Sequence, residues 1–341
     1  MKVVERRIWP QKSKRMKKVI SMILALLLLA GAFAGCEKED TDLVFTLRMD
    51  GKSYAVTGGL VPEDGHLQIP ATHKGLPVEE IGSTAFKNTN LTKLTLPGSI
   101  KVIGSSAFYG CDGLTELVLP EGVEMIGYYS FYGCTSLESI HISNTVKTVG
   151  GFAFSECAAL EEVVIPDGVT TIGSSAFAYC MGLKTAVVGD GVTSIGEKAF
   201  FCCENLESVY LGDSVLKLGQ YAFHKCLSLQ MVRIPKDMDT IEKYAFRKCE
   251  SLTTVYCSGE WLDWYYILTD SGNEFLLDAV VVYEYTDTQF PQLCQHSLGE
   301  WTDMNTALHQ RTCTLCGGQA TAYHAYEEGV CTTCGKAEPV E

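Results

Sequence analysis

The sequence predicts an α/β repeat solenoid, with short parallel strands stacked through short helical turns, followed by a small Cys/His-rich C-terminal module. Three periodic series predict it. Ala-Phe pairs end at Phe86, Phe108, Phe154, Phe177, Phe200, Phe223 and Phe246, and Ser130-Phe131 fills the missing place. Their first spacing is 22 residues and every later one is 23. Cysteine follows the same step at Cys111, Cys134, Cys157, Cys180, Cys203, Cys226 and Cys249, and leucine follows it from Leu91 to Leu252. Self-similarity at a fixed period of this length marks a repeat architecture, in which no unit buries its own apolar face and stacking completes the core.

Aligned on these series, the unit reads Ile-Gly-x-x-Ala-Phe-x-x-Cys-x-x-Leu-x-x-Val-x-Ile-Pro, and eight units run through residues 81–257. The Leu-x-x-Val-x-Ile stretch is read as a strand. Val and Ile lie two apart and point inward, while the residue between them points out. Pro97, Pro120, Pro166 and Pro235 end it by removing an amide donor. The Ile-Gly corner supplies a position without a Cβ. Ala-Phe-x-x-Cys suits one or two helical turns, since residues three apart share a helix face.

This unit resembles the leucine-rich repeat of BspA-like bacterial surface proteins, including the treponemal type. The flanks fit the resemblance. Residues 43–80 read as a hairpin cap, with a turn at Asp50-Gly51, and an opening repeat; residues 258–289 resemble the Trp-bearing cap that closes such arrays. The resemblance implies a cell-surface interaction protein, since some relatives are adhesins, and names no ligand.

Two outward columns are expected across the strands. One reads Thr95, Val118, His141, Val164, Val187, Tyr210, Arg233 and Tyr256; the other reads Lys93, Glu116, Ser139, Glu162, Thr185, Ser208, Met231 and Thr254. β-branched and aromatic residues outnumber charges in the first, and Tyr and Arg are favoured interface anchors. The column from Val118 to Tyr256 is therefore the candidate partner-binding surface. The competing reading is that Val and Tyr simply suit strands. The cysteine ladder, set between an inward Phe and an inward Leu, reads as structural, because free Cys is among the most buried of residues.

The N-terminal 35 residues read as a secretory signal peptide. Lys17-Lys18 precede a 17-residue apolar run, which ends in Phe33-Ala34-Gly35-Cys36. Those last four residues resemble a bacterial lipobox, which implies lipid attachment at Cys36 and an exported chain held at the membrane. Residues 36–42 are then an anchored linker. Residues 1–35 carry eight of the 27 basic residues and one of the 41 acids, so the remainder has a net charge of 19 − 40 = −21. Such acidity opposes nucleic-acid binding, which depends on Lys and Arg displacing counterions from phosphates.

Residues 290–341 form the Cys/His-rich module. Cys313, Cys316, Cys331 and Cys334 make two CxxC pairs, and four thiolates suit tetrahedral structural zinc. Cys294, His296 and His324 enlarge the candidate set. One grouping joins Cys294, His296, Cys313 and Cys316, with His324, Cys331 and Cys334 in a second set. Disulfides are the alternative, since the exported compartment permits them. No nucleophile elbow, phosphate-binding loop, HExxH or dinucleotide fingerprint occurs. The expected function is therefore non-catalytic binding of an extracellular protein or glycan. A structural envelope spacer and a thiol-based enzyme using the tail cysteines are the alternatives.

Overall fold

The computed structural model describes residues 42–283, together with the backbone of five strands lying between Thr302 and Cys331. The repeats wind into a parallel β-solenoid, and each turn contributes two strands rather than the single one expected. The longer strand is the predicted Leu-x-x-Val-x-Ile stretch, as in Glu116–Val118, Thr185–Val188 and Met231–Ile234. A two-residue strand precedes each Gly corner, as in Val102–Ile103, Met125–Ile126 and Ser194–Ile195. The short strands pair in parallel along one sheet: Val102 sits opposite Met125, Met125 opposite Thr148, and Thr148 opposite Thr171. The corner glycines permit this approach. A Cβ on Gly127 would lie 2.8 Å from the backbone of Gly104 and Ile103 in the preceding turn.

The Ala-Phe-x-x-Cys segment is not the helix expected. An α-helix directs every amide to its own carbonyls four residues back, which leaves nothing for the neighbouring turn. Here the amides alternate. Ser106, Phe108 and Gly110 donate to Tyr128, Ser130 and Tyr132 of the next turn at 2.7, 2.8 and 2.7 Å. Ala107, Tyr109 and Cys111 donate back within their own turn, at 3.2, 3.2 and 3.3 Å. Left-handed backbone at two places per unit accompanies the alternation: φ is 54° at Ser106 and 68° at Gly110, 56° at Tyr129 and 70° at Gly133, and 63° at Tyr244 and 61° at Lys248. Most of these sites are not glycine. Such a φ is costly for residues with a Cβ, so the inter-turn bonds outweigh a local penalty repeated along the chain.

The core is a set of columns along the solenoid axis. Phe86 to Phe246 are fully buried, and consecutive rings stack nearly parallel at 5.2–5.7 Å between centroids. The Leu column from Leu91 to Leu252 is buried beside them.

Both ends are closed. Leu43–Leu47 and Tyr54–Gly59 form an antiparallel hairpin, and Tyr54–Gly59 pairs in parallel with Leu76–Ile81. Arg48 on this hairpin bridges Glu79 and Glu80 at 3.3 and 3.2 Å. At the other end come a helix α1 (Trp261–Tyr266), a strand Leu268–Thr269, a helix α2 (Glu274–Leu277) and the strand Val280–Tyr283. The N-cap residue of α2 is Asn273, which is buried. In regular units the Phe amide donates to the next turn's Ala carbonyl, as Phe223 does to Ala245 at 2.8 Å. Phe246 has no such turn to meet. Its amide donates instead to Asn273 Oδ1 at 2.9 Å, while Asn273 Nδ2 donates to the carbonyls of Glu242 and Asp270 at 3.1 and 2.8 Å. One side-chain amide thus replaces the peptide group of a missing repeat.

Asn273→Ala leaves the buried Phe246 amide without an acceptor and is expected to cost about 2–3 kcal/mol. Chemical denaturation checks this, and an unchanged midpoint would reject the capping role.

Candidate binding surface

The longer strands hold their outward residues in register. Val118 pairs with His141, and Val164, Val187, Tyr210, Arg233 and Tyr256 follow one another across five hydrogen-bonded strands. Gln68 pairs with Thr95 at one end of the column, and Val282 continues it past Tyr256. These strands form three hydrogen-bonded blocks. The largest runs from Glu162–Ile165 to Val280–Tyr283 and is continued antiparallel by Gln319–Tyr323, Leu308–Thr312 and Thr302–Asp303.

Facing out and being exposed separate along this column. Thr95 and His141 are exposed, and Val118 and Val164 are half-buried. From Val187 onward the residues are buried: Val187 keeps 5 % of its surface, Tyr210 8 %, Arg233 3 %, Tyr256 3 % and Val282 5 %. They do not belong to the solenoid core. Val187, Tyr210, Tyr256 and Val282 form a second apolar cluster, with Val164, Met231 and Val280 packed on it, whereas the alternate residues Ala186, Val188, Val209, Val255 and Val281 lie in the main core. Arg233 sits over the Tyr210 ring at 4.7 Å, donates to the Leu211 carbonyl at 2.5 Å and pairs with Asp213. Of the residues expected to meet a partner, Val118, His141 and Val164 are accessible in this conformation, whereas Val187, Tyr210, Arg233 and Tyr256 are not.

The thiol ladder lies inside. Each ladder Sγ–H donates to the carbonyl of the Phe in the preceding turn, at 3.2 Å for Cys111 to Phe86, 3.4 Å for Cys157 to Phe131 and 3.1 Å for Cys249 to Phe223. Burial pushes the Cys180 thiol up to about 12, and holds Cys157, Cys203 and Cys226 well above their usual range. A thiol is nucleophilic only as thiolate, so burial disfavours the reactive form of these groups. Among the described residues every cysteine is free, and no three His, Cys, Asp or Glu side chains are placed to hold a metal. Cys36, Cys294, His296, Cys313, Cys316, His324 and Cys334 lie outside the described residues; Cys331 ends the strand Val330–Cys331, of which only the backbone is described.

A second surface, of rings half-buried apart from the buried His224, went unnoticed in the sequence. The turn side carries aromatic pairs from successive units: Tyr109 on Tyr132 at 4.8 Å, Tyr129 on Phe152 at 4.6 Å, Phe201 on His224 at 5.1 Å and Tyr221 on Tyr244 at 5.2 Å. Lys87 lies over Tyr109 at 4.3 Å, and Arg247 over Tyr244 at 4.9 Å. Burial, then the nearby Arg247, Lys225 and Lys248 charges, lower the pKa of His224 and favour its neutral form. The signal was available, because each pair is spaced by 23 residues at a variable position of the unit.

A stack of parallel strands and hydrogen-bonded turns, with columns of outward residues and buried thiols, defines a repeat scaffold. The profile described as the BspA type leucine-rich repeat region matches residues 79–203 and 182–263, in six copies. The chain belongs to the BspA-type leucine-rich repeat family. It is similar to the leucine-rich repeat protein of Treponema pallidum, with 27 % identity over 63 % of this chain and 90 % of that one, at a TM-score of 0.50. A leucine-rich repeat protein of Bacteroides ovatus shares 23 % identity over 65 % of this chain and 71 % of its own, at 0.47. The pneumococcal vaccine antigen PcpA shares 17 % over 74 % and 88 %, at 0.41. No curated protein matches the chain.

Thiol-reactive dye added to the native chain is expected to leave the seven ladder cysteines unlabelled, and to label them once denaturant opens the solenoid. Labelling of Cys157 without unfolding would contradict the ladder as drawn.

Proposed function

We propose that this chain is an exported, lipid-anchored surface protein that binds an extracellular protein or glycan through its solenoid, without catalysis. One observation carries the reading: the outward face of the longer strands presents Thr95, Val118, His141 and Val164, two of them exposed and two half-buried. Apolar and amphipathic residues on a scaffold that loses little entropy on binding suit recognition. Membership of the BspA-type family supports the same reading. The leader and Phe33-Ala34-Gly35-Cys36 support export and anchoring at Cys36. Buried thiols whose pKa is raised argue against redox chemistry in the repeats.

Binding is tested on the mature chain against arrays of extracellular matrix proteins and glycans. Val118→Lys combined with His141→Glu is expected to weaken capture roughly tenfold or more, as loss of interface anchors does, with the melting temperature unchanged. Tyr109→Ser with Tyr132→Ser, on the turn side, is expected to leave capture intact. The reverse pattern would move the binding face to the aromatic turns. Cys36→Ser is expected to release the chain from the membrane fraction; retention there would refute lipid anchoring at this residue.

A further inference from the structure

We infer that the outward sheet face from Val187 to Val282 is a docking site for this chain's own C-terminal segment, the parts of residues 284–341 outside the edge strands Thr302–Asp303, Leu308–Thr312 and Gln319–Tyr323. The column keeps one strand parity through three hydrogen-bonded blocks, yet its exposure changes along the axis. Thr95 and His141 stand in solvent, while Val187, Tyr210, Arg233, Tyr256 and Val282 keep 3–8 % of their surface. A side chain on a sheet face flanked only by its own row keeps its tip in water. Burial this deep, of rings as large as Tyr210 and Tyr256, requires matter lying on the face. The described residues packed on the cluster are Val164, Met231 and Val280, all from its own strands. The cap residue Trp264 packs on the main core instead, and the outward cluster is separate from that core.

Position, reach and chemistry each point to the segment. Burial is confined to the end of the sheet nearest Tyr283, where the segment begins. The segment joins the edge of that same sheet, with Val281 opposite Thr321, Val282 opposite Ala320 and Tyr283 opposite Gln319. From Val282 to Val187 is four inter-strand steps, or about 19 Å. The 18 residues from 284 to 301 can span up to about 60 Å when extended, so distance imposes no limit. Those residues include Tyr285, Phe290, Leu293, Leu298 and Trp301, which suit an apolar cluster. Their charged groups are Glu284, Asp287 and Glu300, with no Lys or Arg, and the face they would meet carries Arg233. The consequence is that half of the outward column is occupied from within. A partner on this sheet then reads the N-terminal half, around Val118 and His141.

The test uses the full mature chain and needs no partner. Hydroxyl-radical footprinting is expected to oxidise Tyr210 and Tyr256 roughly tenfold more slowly than Tyr128 and Tyr265, as stably closed regions are protected. Tyr128 and Tyr265 are 62 % and 64 % exposed. A photo-crosslinking amino acid in place of Met231, which is half-buried on the same face, is expected to join to residues within 284–341 of its own chain. Tyr210 and Tyr256 reacting as fast as Tyr128 would mean an open face and overturn the assignment. Cross-links between two chains would replace it with a dimer interface. Protection with no cross-link into 284–341 would overturn it as well.

Discussion

Every turn of this solenoid depends on the amides that its neighbour accepts. The alternating pattern through Ser106–Cys111 sends half of the amides to the next turn and keeps half at home. Neither set alone would suffice. Without the inter-turn bonds the repeats would slide past one another; without the local ones each turn would lose its shape. The pattern also fixes the rise, because a hydrogen bond of 2.7–2.8 Å at Ser106, Phe108 and Gly110 leaves one spacing between turns. At that spacing the Phe rings stack at 5.2–5.7 Å and the corner glycines lie against one another's backbone. Magnitudes rank the contributions. Burying a Phe side chain is worth about 1.5–3 kcal/mol, and an aromatic stack adds about 0.5–1.5 kcal/mol beyond burial. The column is therefore held chiefly by exclusion of water, and the stacking geometry follows from the register.

A structure built on neighbours has a difficulty at each end, where a neighbour is missing. The two ends solve it differently. At the N-terminal end a hairpin pairs with Leu76–Ile81 and adds strands to the short-strand sheet. At the C-terminal end Asn273 places one primary amide where a peptide group of the next turn would stand, and satisfies a donor and two carbonyls of the last turns. An unsatisfied buried amide costs more than an average hydrogen bond contributes. A single polar side chain can therefore matter more to the array than any one apolar contact beside it.

Much of this was legible in the sequence. The 23-residue period fixed the solenoid, the inward Phe, Cys and Leu columns and the outward column with its register, because strand alternation and stacking follow directly from spacing. Three features were not legible, for distinct physical reasons. The second strand of each turn has only two residues, too few to show alternation. The Ala-Phe-x-x-Cys turn has Phe and Cys three apart, which a helix and this alternating turn both allow; what separates them is left-handed φ at sites occupied by Ser106, Tyr129 and Tyr244, none of them glycine. The role of Asn273 depends on its place after the last repeat, where no periodic signal remains. The turn-side aromatic pairs were a different case, since their spacing was present but fell at positions the repeat leaves variable.

The cysteine and outward columns show the same limit from opposite sides. For the thiols, direction and environment agree. The ladder faces the core, the Sγ–H groups settle on Phe carbonyls, and burial drives up the pKa of Cys157, Cys180, Cys203 and Cys226. Knowing which way the residue points was enough to infer its chemistry. For the column from Val118 to Tyr256, direction and environment diverge. Parity shows that Tyr210 and Tyr256 leave the core, but no local pattern tells what lies beyond the sheet. Two valines of equal pointing on paired strands, Val164 and Val187, differ in exposure, the first half-buried and the second buried. A repeat makes every turn locally equivalent, and it is the departure from equivalence along the axis that distinguishes a surface open to partners from one already covered.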